Sequence, residues 1–189
     1  MVHQSLQFTK KLLSQFIRNK MGLNDEHVIL NYMVEQSGSM PKSNLNKVVI
    51  SLINIEKETN RPFHVRQQKL TDGSFSDFNP AERYTLDLLI SSNFDDYNET
   101  LKFFDIVLLF FQINSCIDIS VSSPMPEGLT KLEFEFEKLS FHQMQGLWTA
   151  MGAKYQPSIV YKLKFVTIDV RQTQGIVAAV TNLETSAVL

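Results

Sequence analysis

Four histidines, one cysteine and a row of three glutamates are the side chains of this chain that could do chemistry. His3, His27, His64 and His142 show no pair at metal-ligand spacing, and Cys116 alone cannot build a zinc cluster. No metal site is expected. Cys116 with a distant histidine would make a nucleophile pair, but its segment supplies neither a helix start nor a basic neighbour to lower the thiol pKa. A small buried strand residue is the expectation for Cys116. Glu133, Glu135 and Glu137 sit two apart, so on a strand they share one face. Such a row is by default solvated. Otherwise it is an acidic strip that meets a basic one, with Lys162 and Lys164 as mates, either within the sheet or between subunits. The segment GAKYQPS has a glycine followed by a lysine, but it lacks the spaced glycines of a phosphate loop and follows a helix. Gly152 is better read as a left-handed helix cap and Pro157 as a stop. No catalytic residue and no cofactor site is therefore expected. A small cytosolic enzyme using Cys116 or a histidine is the competing reading, and a Cys116→Ala variant that assembles normally would count against it.

Composition narrows the class further. The 189 residues are 43% apolar and 20% charged, with 14 phenylalanines and a net charge of −2. One domain of that size buries about 70% of the surface its unfolded chain exposes. The core is expected to be built from large flat side chains. There is no basic stripe for a phosphate backbone, so nucleic-acid binding is disfavoured. A lone cysteine fits a reducing compartment. The N-terminal stretch is amphipathic and broken by Arg18 and Lys20, unlike a signal peptide. The longest apolar run, Phe103 to Ile113, contains Asp105 and is too short to span a bilayer. Folding in the cytosol without membrane insertion is expected.

The elements that must position these residues follow from periodicity. Residues 3 to 21 read as a helix stopped by Gly22 and Asn24. Val28 to Val34 reads as a strand or as continued helix, and Ser37 to Ser43 as a loop. Val48 to Ile55 is a strand apolar on both faces, with Val48, Ile50 and Leu52 opposed to Val49, Ile53 and Ile55. Residues 57 to 82 form a long polar excursion with a hairpin between Val65 and Phe78 around Asp72-Gly73. Tyr84 to Ile90 is a second strand. Asn93 is placed to cap a helix that runs to about Gln112 and is nearly enclosed, because its polar residues form only a thin stripe. Cys116 to Val121 is a short strand, and Leu132, Phe134 and Phe136 alternate with the glutamates on a strand wet on one face. Ser140 and Gln143 make a capping box for a helix with Phe141, Met144, Leu147, Trp148 and Met151 as its buried stripe. Ile159 to Val170 is the last strand. The low-charge tail, residues 172–189, holds Ile176, Val177 and Val180, either a strand offered to another sheet or an edge of its own domain. The sum is a single α+β domain: a mixed or antiparallel sheet of about five strands with three helices.

Three segments, NKVVISLINIEKE (46–58), NPAERYTLDLLISSNFDDYNETLKFFDIVLLFFQ (79–112) and KLEFEFEKLSFHQMQGLWTAMGAKYQPSIVYKLKFVTI (131–168), arrive in the order and spacing of one domain. Together they resemble the cap, or tube-terminator, proteins of phage-tail-like contractile injection systems of the antifeeding-prophage and virulence-cassette type. The most specific part surrounds Trp148, Gly152, Lys154, Tyr155, Pro157, Ser158, Tyr161 and Lys162. The resemblance implies a tail-terminator-like domain over residues 1–171; residues 172–189 stand apart as a tail, read from composition alone as either an interaction arm or a frayed terminus or edge strand. It implies a homo-hexameric ring that closes the baseplate-distal end of an inner tube and sheath, with the tube and sheath proteins as partners. It implies assembly in the cytoplasm, then residence in a contractile particle, and no catalytic residues. A neck or joining ring, or a second cap paralogue in the same particle, are the alternatives it leaves open.

Overall fold

A computed structural model describes residues 1–58, 67–69, 75–78, 82–118, 125–167 and 173–177. Helix α1, Val2–Met21, opens the chain, and its end is set by Gly22 at φ 66°. That is the left-handed region where a side chain costs energy. The helix buries Phe8, Leu13 and Ile17 together with Ser5 and Thr9. Burial of these small polar residues is tolerated because each hydroxyl bonds the helix's own backbone: Ser5 Oγ donates to Val2 O and Thr9 Oγ1 to Ser5 O, both at 2.8 Å.

Six strands form the main sheet: β1 Val28–Leu30, β2 Lys47–Lys57, β5 Glu82–Asn93, β6 Cys116–Asp118, β7 Leu129–Glu137 and β8 Ser158–Thr167, in the order β1-β2-β5-β8-β7-β6. Only β1 with β2 is parallel, so the sheet is mixed. Between β2 and β5 lie β3, Gln67–Lys69, and β4, Phe75–Phe78, an antiparallel hairpin at the place where Asp72-Gly73 predicts one. Its third strand is β9, Thr173–Val177, which pairs antiparallel with β4. Helix α2, Tyr97–Ile113, follows β5, and helix α3, Phe141–Ala150, follows β7.

Alternation along the central strands splits the core in two. Val48, Ile50, Leu88, Ile90, Tyr161 and Leu163 face the cluster that holds α1 and α2. Val49, Leu89 and Val160 face the opposite way, against Trp148 of α3. The two-helix side is aromatic, as 14 phenylalanines suggest. Phe111 stacks on Tyr161 at 4.2 Å between ring centroids and meets Phe134 edge-on at 5.1 Å.

Several expectations need correction. The predicted strand at Val28–Val34 is only the three residues of β1. Residues 31–34 leave the sheet as Asn31 Nδ2 bonds Asn44 Oδ1 at 2.7 Å and Asn44 Nδ2 donates to Tyr32 O. In β2 a bulge between Leu52 and Asn54 reverses the parity beyond it. Ile55 therefore pairs with Leu86, on the side opposite to Val49, and is 49% exposed. Asp96, not Asn93, caps α2: its carboxylate accepts from Asn98 N at 2.9 Å, while Asn93 still belongs to β5. Cys116 is exposed, because it lies on the edge strand facing away from buried Ile117. Of the last strand, residues 168–170 lie outside the described residues.

Candidate functional site

Trp148 organises the α3-to-β8 corner. The capping box is complete, with Ser140 Oγ accepting from Gln143 N and Gln143 Oε1 accepting from Ser140 N. The other end closes as a Schellman motif: Gly152 N donates to Thr149 O at 2.9 Å and Ala153 N to Trp148 O at 3.1 Å, with Gly152 at φ 69°. So fixed, α3 drops Trp148 onto Val49, Leu89 and Val160, and the indole N–H donates to Ser158 Oγ at 3.0 Å. Pinning the indole to the first residue of β8 ties the helix to the sheet. Tyr155 meets the Trp148 ring edge-on at 6.2 Å. Tyr161 is buried on the far side of the sheet, and burial raises its phenol pKa. Pro157 and Lys154 are exposed. The motif around Trp148 is thus a joint, with Lys154 and Tyr155 on its outer surface.

Beyond α3 the same face of the sheet turns charged. Asn54, Asp87, Lys162 and Glu135 lie in one row across β2, β5, β8 and β7. The lysines lean diagonally: Lys164 Nζ is 2.6 Å from Glu135 and Lys162 Nζ is 3.2 Å from Glu137, while Lys131 pairs with Glu133. The hydrogen bond from Lys164, and then its charge, lowers the Glu135 pKa. Bonds to Glu137 and Glu135 raise Lys162 and Lys164. Of the two arrangements open to the Glu133, Glu135 and Glu137 row, these contacts form the one within the sheet. The strip is largely neutralised where it stands, and exposed pairs of this kind are worth about 0–1 kcal/mol. On Asp87, Oδ2 accepts from Asn54 Nδ2 at 3.0 Å, while Oδ1 is buried without a hydrogen-bond partner among the described residues.

The surfaces that sequence periodicity misplaced are apolar. Helix α2 is not enclosed: Tyr97, Leu101, Leu108, Leu109 and Ile113 are exposed on its outer side. Its inner side alone, with Phe103, Phe104, Val107, Phe110 and Phe111, satisfies the core. Phe141, expected in the buried stripe of α3, is 76% exposed and lies 6.4 Å from Tyr155 between ring centroids. It is the first residue of α3, one turn short of the sheet. Phe136, expected on the dry side of β7, is half-exposed against Tyr161. A signal existed for α2: its stripe is too apolar for water, and the partner demanded by that is absent from the described residues. Ile176 and Val177 lie in β9, and Val180 lies outside the described residues.

Among the described residues no group of three or more His, Cys, Asp or Glu side chains could hold a metal ion. No described helix is long and apolar enough to cross a membrane. Among the described residues, a shallow groove beside α1 is lined by Lys10, Lys11, Arg18 and Glu26 among others.

Known proteins supply the context for these surfaces. A family model described as the Pvc16 N-terminal domain matches residues 7–182. Among solved structures, the fold is similar to the sheath/tube terminator of an extracellular contractile injection system (PVC) in its extended state, with a TM-score of 0.62 at 14% identity. It is also similar to the tube-terminating cap of the anti-feeding prophage, with a TM-score of 0.58 at 10% identity. The matches cover 96% and 95% of this chain, which spans 62% and 60% of those neighbours' own length. No curated protein sequence matches the chain.

Proposed function

The chain belongs to the Pvc16 N-terminal domain family, and on that premise we propose that it is a terminator subunit of a contractile injection system. In this reading it forms a homo-hexameric ring at the baseplate-distal end of the particle, closes the inner tube and sheath, and stops their polymerisation. Its partners are further copies of itself, the inner tube protein and the sheath protein. It is assembled in the cytoplasm and then resides in the particle. Residues 1–171 act as the terminator domain, and residues 172–189 as an arm that contacts a neighbour.

One observation carries the reading: the fold likeness to two terminators extends over nearly the whole chain. Those neighbours are named as a terminator and a cap, not as enzymes. The surface chemistry agrees. A terminator needs faces that pack, and the described residues offer exposed aromatic and aliphatic side chains on both sides of the sheet. A hexameric ring requires a heterologous contact that closes on itself.

The reading is tested by removing the gene from a producing strain and measuring particle lengths by electron microscopy. Tubes and sheaths of uncontrolled length, or sheaths that do not remain extended, are expected. Particles of unchanged length and stability would refute it. Deleting residues 172–189 separates the arm from the domain: a folded protein with altered assembly supports the arm, and loss of folding defeats it.

A further inference from the structure

We propose that the outer face of α2 is a docking surface for a second copy of this chain, and that what it receives is the Phe141–Tyr155 knob of that copy. The inference deepens the terminator reading and rests on it, since a closed ring needs two different, complementary patches on each subunit. On α2, Leu101, Leu108 and Leu109 are 42%, 40% and 36% exposed. Asp105 stands one turn from each of them on the same exposed side and has no ion-pair partner among the described residues, whereas neighbouring Lys102 is tied to Glu99 at 2.7 Å. This is an apolar strip around one unneutralised carboxylate.

The knob has the opposite character. Phe141 is 76% and Tyr155 54% exposed; the Phe141 ring leans on Tyr155, and Tyr155 meets Trp148. Because the capping box and the Schellman turn fix this corner, little side-chain freedom is lost when it docks. Lys154, next to Tyr155 in sequence, and Lys138, three residues before Phe141, are exposed, and neither has an acidic partner among the described residues. A rigid aromatic anchor flanked by cations therefore complements a leucine strip holding a lone anion.

Position favours the same pairing. The α2 strip belongs to the two-helix side of the sheet and the knob to the α3 side, because successive residues of β2, β5 and β8 feed the two clusters alternately. Patches on opposite sides of one subunit cannot satisfy each other within it. They join copies head to tail, and such a contact closes into a ring when the rotation between copies allows.

The experiment uses the full chain, with Leu108→Asp and Phe141→Asp made separately and assembly followed by native mass spectrometry and sedimentation velocity. Each variant alone is expected to stay monomeric at ten times the concentration at which the wild type assembles. A one-to-one mixture is expected to form a dimer that cannot grow, because each partner retains one intact patch. Both positions are exposed, so melting temperatures should match the wild type. Should either variant fail to fold, the charge exchange Asp105→Lys with Lys154→Asp gives a second route: the single changes weaken assembly at least tenfold and the double change restores it. A ring that survives Leu108→Asp, or a mixture that remains monomeric, overturns the proposal. So does an α2 variant that keeps its ring but loses binding to tube or sheath subunits, since the strip then belongs to those partners. Any of these leaves the terminator reading standing. A wild type that is monomeric at all concentrations and ignores tube ends removes that reading as well.

Discussion

On its two-helix side the main sheet is covered by α1 and α2, and the side chains there are aliphatic and aromatic from Val48 to Phe165. On its other side a smaller cluster of Val49, Leu89 and Val160 is covered by Trp148 of the ten-residue α3 and by Met33, and beyond it the strands carry Asp87, Lys162, Lys164 and the glutamates of β7. The first side is where the fold gains most of its stability, because burial scales with apolar area. The second is held by one indole, two helix caps and a few ion pairs, each a smaller contribution. A subunit built this way has one side committed to folding and another whose shape is set by a local joint.

Mutations should rank accordingly. The largest effect is expected at Phe111, which is fully buried among Phe110, Phe134 and Tyr161. Phe111→Ala should cost about 3–5 kcal/mol in denaturant unfolding, and a loss below 1 kcal/mol would contradict the assignment of the main core. Next comes Trp148→Phe, which keeps an aromatic ring but leaves Ser158 Oγ without its indole donor. A loss of about 1–2 kcal/mol is expected. Because the two side chains act as one bond, adding Ser158→Ala should cost less than the two single changes summed, and strict additivity would argue against the bond. Gly152→Ala should cost about 1 kcal/mol through the left-handed backbone alone, since nothing lies within 4 Å of the position its Cβ would take. A neutral outcome would mean that α3 ends differently.

The smallest effect belongs to the charged strip. Glu135→Gln should change stability by no more than about 1 kcal/mol. Its sign with pH is fixed by the lowered Glu135 pKa: the stabilisation is present above the ordinary carboxylate range and is lost as pH falls through the lowered value. Lys162 and Lys164 are raised, so their contribution is complete below the ordinary lysine range and lost only as pH rises beyond it. Between those limits Glu135, Lys162 and Lys164 contribute no pH dependence. A stability curve for wild type minus Glu135→Gln that slopes near neutral pH would require a different set of pairs.

Much of this division was readable from periodicity. The strand read at Tyr84 to Ile90 lies within β5, and the Ser140–Gln143 spacing and Gly152 named both ends of α3. The α+β class and the three helices followed from the same patterns. What escaped has a physical reason in each case. The β2 bulge inserts one residue without marking the sequence, so Ile55 changed sides. An apolar residue at a helix start, such as Phe141, keeps the period of the stripe but overhangs the surface that would cover it. Helix α2 is apolar nearly all round, and its pattern does not distinguish burial inside the subunit from a face held for another molecule. The glutamates of β7 found mates one strand away, while exposed apolar residues such as Leu108 and Phe141 are ones that periodicity had assigned to buried faces.

In the proposed reading this polypeptide sits at the end of a tube. Imaging intact particles by electron microscopy with an electron-dense label on this chain tests it most directly. Label is expected as a single cluster at the tip opposite the baseplate, on tube and sheath together. Label spread along the shaft, or found only at the baseplate, would contradict it.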